Sequence, residues 1–424
     1  MSFSLLSDLL KSLAKDLNED QSRGLEMLSG TDNVFLTGGA GTGKSYLMKT
    51  FLRGVDREAV PVLASTGAAA VLVGGRTFHS FFGLGIMEGG AASTIERATK
   101  DRRVSRRLKK ATAIIIDEIS MISGETLAVA EQIARFVRDP SRPWGGLRIV
   151  AVGDFAQLPP ITRGAKTRDW AFLSPTWQAS EFQNVHLKTI MRARADTEFC
   201  LALHDARRGE VSERLENLLE WRKMHPSDQD EDATHLYARK VDVEKINLDR
   251  LAKIESPTLS FATTYAGDER YLKTLRTQAP IPETIELKKG AFVMLRQNDP
   301  KGRWVNGSLG HIDYLSEDGI EVKLLRGEQV VEIDPVAFSM LDADGHEVAS
   351  AKNFPISLAY AITIHKAQGA TLDKIVASLA GLWEPGQAYV AMSRVTSSGG
   401  LFIHAWDRKS FFADPAVLKS GLVE

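Results

Sequence analysis

The 424-residue sequence predicts an α/β protein whose parallel strands are covered by helices on both faces. Three observations carry this. Short apolar runs recur at Val34–Leu36, Val60–Leu63, Ala113–Ile116 and Leu147–Val152, each separated from the next by helical stretches. A glycine-rich loop directly follows the first of them. A cluster of short strands between 291 and 335 interrupts the alternation and marks an all-β insertion.

In chain order, Leu6, Leu9, Leu10, Leu13 and Leu17 have the spacing of an amphipathic helix, and Asn18 stands where it would cap a second helix through Gln21, Leu25 and Leu28. Residues 97–110, RATKDRRVSRRLKK, carry a local net charge of +7, and residues 210–232 carry −5. The acidic stretch contains His225-Pro226-Ser227-Asp228, an expected exposed connection. AFVMLRQ, SLGHIDYL, GIEVKLL and EQVVEID then read as strands, separated by turns such as Asp318-Gly319 and Arg326-Gly327. The α/β pattern resumes at about Ile356.

Composition narrows the class. A lone Cys200 cannot form an intrachain disulfide, which removes the secreted disulfide scaffolds and leaves an intracellular protein as the expectation. No apolar run reaches the roughly 18 residues a membrane span needs, and Asp8, Lys11, Lys15 and Asp16 argue against a signal peptide. Lys and Arg total 53 against 54 Asp and Glu. That balance counts against a uniformly basic nucleic-acid clamp, but it averages segments of opposite sign.

The loop after Val34–Leu36 is Gly38-Gly39-Ala40-Gly41-Thr42-Gly43-Lys44-Ser45, a complete G-x-x-x-x-G-K-[ST] pattern between a strand and a helix. Its glycines let backbone N–H groups turn toward phosphate oxygens. Lys44 supplies positive charge to the β- and γ-phosphates, and the Ser45 hydroxyl is a ligand for Mg²⁺. At the end of the Ala113–Ile116 strand, Asp117 is placed for the Mg²⁺ shell and Glu118 for deprotonating an attacking water. Gln157, in GDFAQLPP, is a candidate γ-phosphate ligand. Together these residues predict hydrolysis of ATP or GTP.

GDFAQLPP, the two phosphate-site motifs, TIHKAQGATLD from Thr363 and AYVAMSR from Ala388 together resemble the superfamily-one DNA helicases. The stretch from Gly124 to Pro160 is similar to the signature of the PIF (petite integration frequency) family, within superfamily 1B, and Met191-Arg192-Ala193 is similar to the Dda-type phage helicases. The resemblance implies two RecA-like P-loop motor domains with parallel sheets. The first would be 1–80 with 111–185, carrying a wedge insertion at 81–110. The second would be 186–290 with 352–424, carrying an SH3-like β-barrel at 291–351. It also implies ATP and Mg²⁺, 5′-to-3′ movement on single-stranded DNA, single-strand/duplex junctions as substrates, and a monomer in isolation.

By position, the resemblance assigns adenine recognition to Gln21, a further nucleotide contact to Gln368, and arginine fingers to Arg192 and Arg394. The family pattern has Arg-Gln where this chain has Arg192-Ala193. DNA contacts fall on Thr66 and Gly67 in ASTGAAA, on His79 and Phe81 in TFHSFF, and on Thr363 and His365. Phe81 and Phe82 have two readings, base stacking or core packing, and so does Trp304. The +7 run suits phosphates near a junction, or else a solvated face. Two other functions compete: an RNA helicase or translocase on the same ATPase, and a P-loop switch that binds a protein partner.

Overall fold

The computed structural model describes residues 17–423 apart from 66–75, 86, 88, 161–166, 224–231, 279–281, 298, 300, 305 and 342–346. The expected N-terminal leucine helix, Thr66 and Gly67, and the connection at 225–228 lie outside the described residues.

Six strands open the fold: β1 (Val34–Gly38), β2 (Val62–Ala64), β3 (Arg76–Thr77), β4 (Ala113–Asp117), β5 (Arg148–Gly153) and β6 (Gln183–Leu187). They form a parallel sheet in the order β3-β2-β4-β5-β1-β6. Their apolar runs are continuous because both faces are covered. Successive side chains alternate across the sheet. Val34, Leu36, Ile115 and Val150 meet Leu25, Leu28, Leu47 and Phe51 on one face. Phe35, Ile114, Ile116 and Ile149 meet Phe78, Phe82, Leu127 and Ile133 on the other.

Between β3 and β4 the chain forms helices Phe78–Phe82, Gly90–Lys100 and Arg102–Lys110. Val104 and Leu108 bury one stripe of the last, while Arg102, Arg103, Arg106 and Lys109 face solvent. The basic run is therefore only partly a solvated face. Arg97 donates to the Leu84 carbonyl, and Arg107 donates to the carbonyls of Ser80 and Phe81.

The second half continues with β7 (Thr234–Tyr237), β8 (Leu259–Ala262), β9 (Thr264–Gly267), β10 (Thr284–Leu287), β11 (Phe292–Leu295), β12 (Leu309–Leu315), β13 (Ile320–Leu324), β14 (Val330–Ile333), β15 (Val336–Leu341), β16 (Glu347–Asn353), β17 (Ile356–Leu358), β18 (Ala361–Thr363), β19 (Ile375–Leu379) and β20 (Leu401–Trp406). A second parallel sheet runs β18-β7-β19-β20. The antiparallel sheets β14-β13-β12-β11-β17, β15-β16-β9 and β10-β8 occupy the excursion from it. This all-β region draws in strands on both sides of 291–351, because β9 and β17 cover sheet edges that would otherwise be left unpaired. Trp304 is 7% exposed within its core, so hairpin packing is the role it takes.

Candidate active site and nucleic-acid interface

Ligands of open parallel sheets bind beyond the carboxyl ends of the strands. Here those ends bring together the loop after β1, Asp117 at the end of β4 with Glu118 after it, and Gln157 after β5. Gly41 and Gly43 have positive φ. A Cβ on Gly41 would lie 2.7 Å from the Arg192 side chain, and one on Gly43 would lie 2.4 Å from the Gln21 amide. The cradle thus needs glycine at both positions. Lys44 Nζ donates to the carbonyls of Gly38 and Gly39 at 2.7 and 3.1 Å. Loss of solvent lowers its pKa, with Asp154, Glu118 and Asp117 acting against that shift.

Burial, and next the adjacent Glu118, raise the Asp117 carboxyl to about 7. Two neighbouring carboxylates short of compensating positive charge fit a divalent cation, which would favour the ionised form. Asp117 and Ser45, at the start of the following helix, are the residues that would hold Mg²⁺. Glu118 adopts the left-handed region, φ 52, a conformation that costs about 1–3 kcal/mol and occurs at functional sites.

The second half completes the cleft. Gln368 Nε2 donates to Glu118 Oε2 at 3.1 Å and to Gln157 Oε1 at 3.4 Å. Arg192 N donates to the Gly41 carbonyl at 3.0 Å, and its guanidinium donates to the Ser393 carbonyl at 2.8 Å. Arg394, next in sequence to Ser393, is 2% exposed and donates to the carbonyls of Val390, Ala367 and Ala370. Burial, and then the proximity of Arg192, bring its pKa down to about 9. Gln21 belongs to a capping box with Asn18 and donates to the Thr42 carbonyl at 3.2 Å, which ties the helix Glu19–Ser29 to the phosphate loop.

Along the carboxyl edge, Thr77 ends β3 and Thr363 ends β18. Each caps a short helix by accepting from the backbone N–H three residues on, at 3.1 and 3.2 Å. His79 and His365 follow in the first turns, half-buried, with pKa values lowered by burial. Phe81 corrects the sequence expectation. It is 3% exposed and packed with Phe78 and Phe82, so it offers no face to a base.

Comparison with known proteins decides the family. A family model described as PIF1-like helicase matches residues 16–217. An ATP-dependent DNA helicase Pif1 from Bdellovibrio bacteriovorus is 49% identical over 405 residues, covering 95% of this chain and 91% of that one. The chain belongs to the PIF1-like helicases. The zebrafish (Danio rerio) helicase PIF1 is 35% identical over 97% of this chain, which spans 64% of that longer protein. Among solved structures, a Bacteroides Pif1 in complex with ADP-AlF4 superimposes with a TM-score of 0.82 at 29% identity, covering 96% of each chain. The Bacteroides protein with ADP-AlF3 and ssDNA gives 0.69 at 28%, over 96% of each chain. Among the described residues, no helix is long and apolar enough to cross a membrane.

Three residues of the PIF1-like cleft escaped the sequence reading. Asp154, Arg207 and Tyr389 are 0%, 6% and 2% exposed and meet beside the phosphate loop. Burial alone would raise the Asp154 carboxyl, but Arg207 and Lys44 more than offset it and hold it below its ordinary value. Burial, and next Asp154, push the Tyr389 phenol up, so its hydroxyl keeps its proton. Asp154 and Tyr389 lie inside GDFAQLPP and AYVAMSR and so were within reach of a motif reading. Arg207 carries no local signal.

Proposed function

We propose that this chain, an ATP-dependent DNA helicase, moves 5′ to 3′ on single-stranded DNA as a monomer and opens single-strand/duplex junctions by cycles of domain closure. Gln368 carries the domain-closure part of this reading, while the direction and the monomeric state follow from the family resemblance. One short helix has Thr363 and His365 at its start and ends at the amide that bonds Glu118 and Gln157. A strand phosphate that shifts Thr363 would shift the partner of the hydrolytic base. In this scheme Gln21 reads adenine, Lys44 and Gln157 bind the β- and γ-phosphates, and Ser45 and Asp117 hold Mg²⁺, whose charge would neutralise phosphoryl oxygens. Glu118 takes the proton of the attacking water, and Arg192 and Arg394 stabilise charge on the transferring phosphoryl when the cleft closes. Thr66, Gly67 and His79 hold the strand from the first domain, and Thr363 and His365 from the second. Residues 81–110 act as the wedge, and the insertion at 291–351 acts as an SH3-like cover over the strand.

Unwinding of matched duplexes bearing only a 5′ or only a 3′ single-stranded tail tests this. The 5′-tailed duplex is expected to open. Preference for the 3′-tailed one would overturn the proposed direction.

A further inference from the structure

Both segments that carry the proposed arginine fingers converge on one carboxylate. Arg207 lies on the helix Thr197–Arg208, which follows Arg192, and its Nη2 donates to Asp154 Oδ1 at 2.9 Å. Tyr389 lies on the helix Gln387–Met392, which precedes Arg394, and its hydroxyl donates to Asp154 Oδ2 at 3.2 Å. That hydroxyl also accepts from the Ala40 N–H of the phosphate loop at 2.5 Å. A phenol has one proton to give, so accepting from Ala40 and donating to Asp154 uses it in a fixed sense. A Cβ at Gly39 would stand 3.3 Å from the Tyr389 oxygen, close enough to press the hydroxyl back by a few tenths of an ångström.

Asp154 is tied in turn to the γ-phosphate glutamine. Its side chain accepts from Ala156 N at 3.1 Å, and its own carbonyl accepts from Gln157 N at 3.0 Å, which shapes the turn that presents Gln157. A buried ion pair of this kind contributes little net stability, whereas breaking it leaves an uncompensated buried charge. We infer that Tyr389, Asp154 and Arg207 are positioning residues that set both arginine fingers against the phosphate loop, with the Tyr389 hydroxyl reading the loop through Ala40. Loss of that hydroxyl leaves nucleotide and DNA binding in place and slows only the closed-cleft step.

The inference rests on the finger assignment, and the test separates the two. Tyr389→Phe, Arg394→Ala and the double variant are compared for ssDNA-stimulated ATP hydrolysis, with ssDNA affinity and thermal midpoint measured on the same preparations. Tyr389→Phe is expected to lower kcat about tenfold, the scale of one buried hydrogen bond, with KM for ATP and ssDNA affinity essentially unchanged and the midpoint lowered by no more than a few degrees. The double variant is expected to be no slower than Arg394→Ala. Normal kcat in Tyr389→Phe, or effects that multiply in the double variant, would overturn the inference while leaving the fingers standing. Normal turnover in Arg394→Ala would overturn the finger itself. A Tyr389→Phe protein that loses midpoint, KM and kcat together would reduce Tyr389 to a structural residue, and Asp154→Asn with retained midpoint but reduced kcat would restore the positioning role of the cluster.

Discussion

Thr77-Phe78-His79 and Thr363-Ile364-His365 are the same local device built twice. Each threonine closes the edge strand of a parallel sheet, β3 in the first and β18 in the second, and each caps the helix that follows. Each histidine sits in the first turn with its pKa lowered by burial. The far ends differ. The first helix runs into a closed aromatic group of Phe78, Phe81, Phe82 and Trp144, and Arg107 satisfies its terminal carbonyls. The second stops after four residues and hands on to Gln368, which donates to Glu118, the proposed hydrolytic base. In the proposed scheme the first element would act as an anchor and the second as a lever.

The largest effect expected from this difference is on stability. Phe81→Ala removes a buried ring and its contact with Arg107, at a cost of about 3–5 kcal/mol, the usual range for an aromatic core truncation. Urea unfolding measures it, and a loss below about 1 kcal/mol would mean that the anchor is not anchored. Next comes Gln368→Ala, which leaves the core untouched. It removes a hydrogen bond to a charged partner, worth about 1.5–3 kcal/mol, so ssDNA-stimulated kcat is expected to fall about tenfold or more while the thermal midpoint holds. Steady-state hydrolysis with and without ssDNA checks it. Equal stimulation in wild type and variant would disconnect the second element from the base.

How much of this was legible follows from the range over which each feature is specified. The phosphate loop and Asp117-Glu118 are local, since adjacent residues both shape the backbone and supply the chemistry, and the structure gathers them at the strand ends. The four strands read between 291 and 335 were marked by their turns, whereas β8 and β9 are four residues each and half-exposed and gave little contrast. Phe81 was ambiguous because an aromatic pair satisfies a core or a base equally well in composition. The +7 run was ambiguous for a related reason: a sum of charges cannot show that Arg97 and Arg107 are occupied by backbone carbonyls while Arg102, Arg103, Arg106 and Lys109 face solvent. Arg207 was beyond reach. Its partner is 53 residues away, and on a helix ending in Arg207-Arg208 nothing local says which arginine is buried.

The smallest expected effect tests the equivalence itself. Thr77→Val and Thr363→Val each keep the β-branched shape and remove the oxygen that caps the helix, and N-cap losses of this kind cost about 1 kcal/mol. Both helices are too short to hold themselves without the cap, so the loss should appear as disorder at the first turn, where the histidines sit. If both domains grip phosphate, each variant should weaken ssDNA binding about fivefold, the affinity equivalent of that energy, and each Thr→Ser variant should restore it. The two should then part company in hydrolysis. Thr363→Val loosens the helix that positions Gln368 and should also lower stimulated kcat, whereas Thr77→Val should not, because its helix ends in core. Fluorescence titration of labelled ssDNA beside steady-state ATPase reads both quantities. Equal losses of kcat at the two positions would erase the distinction between anchor and lever.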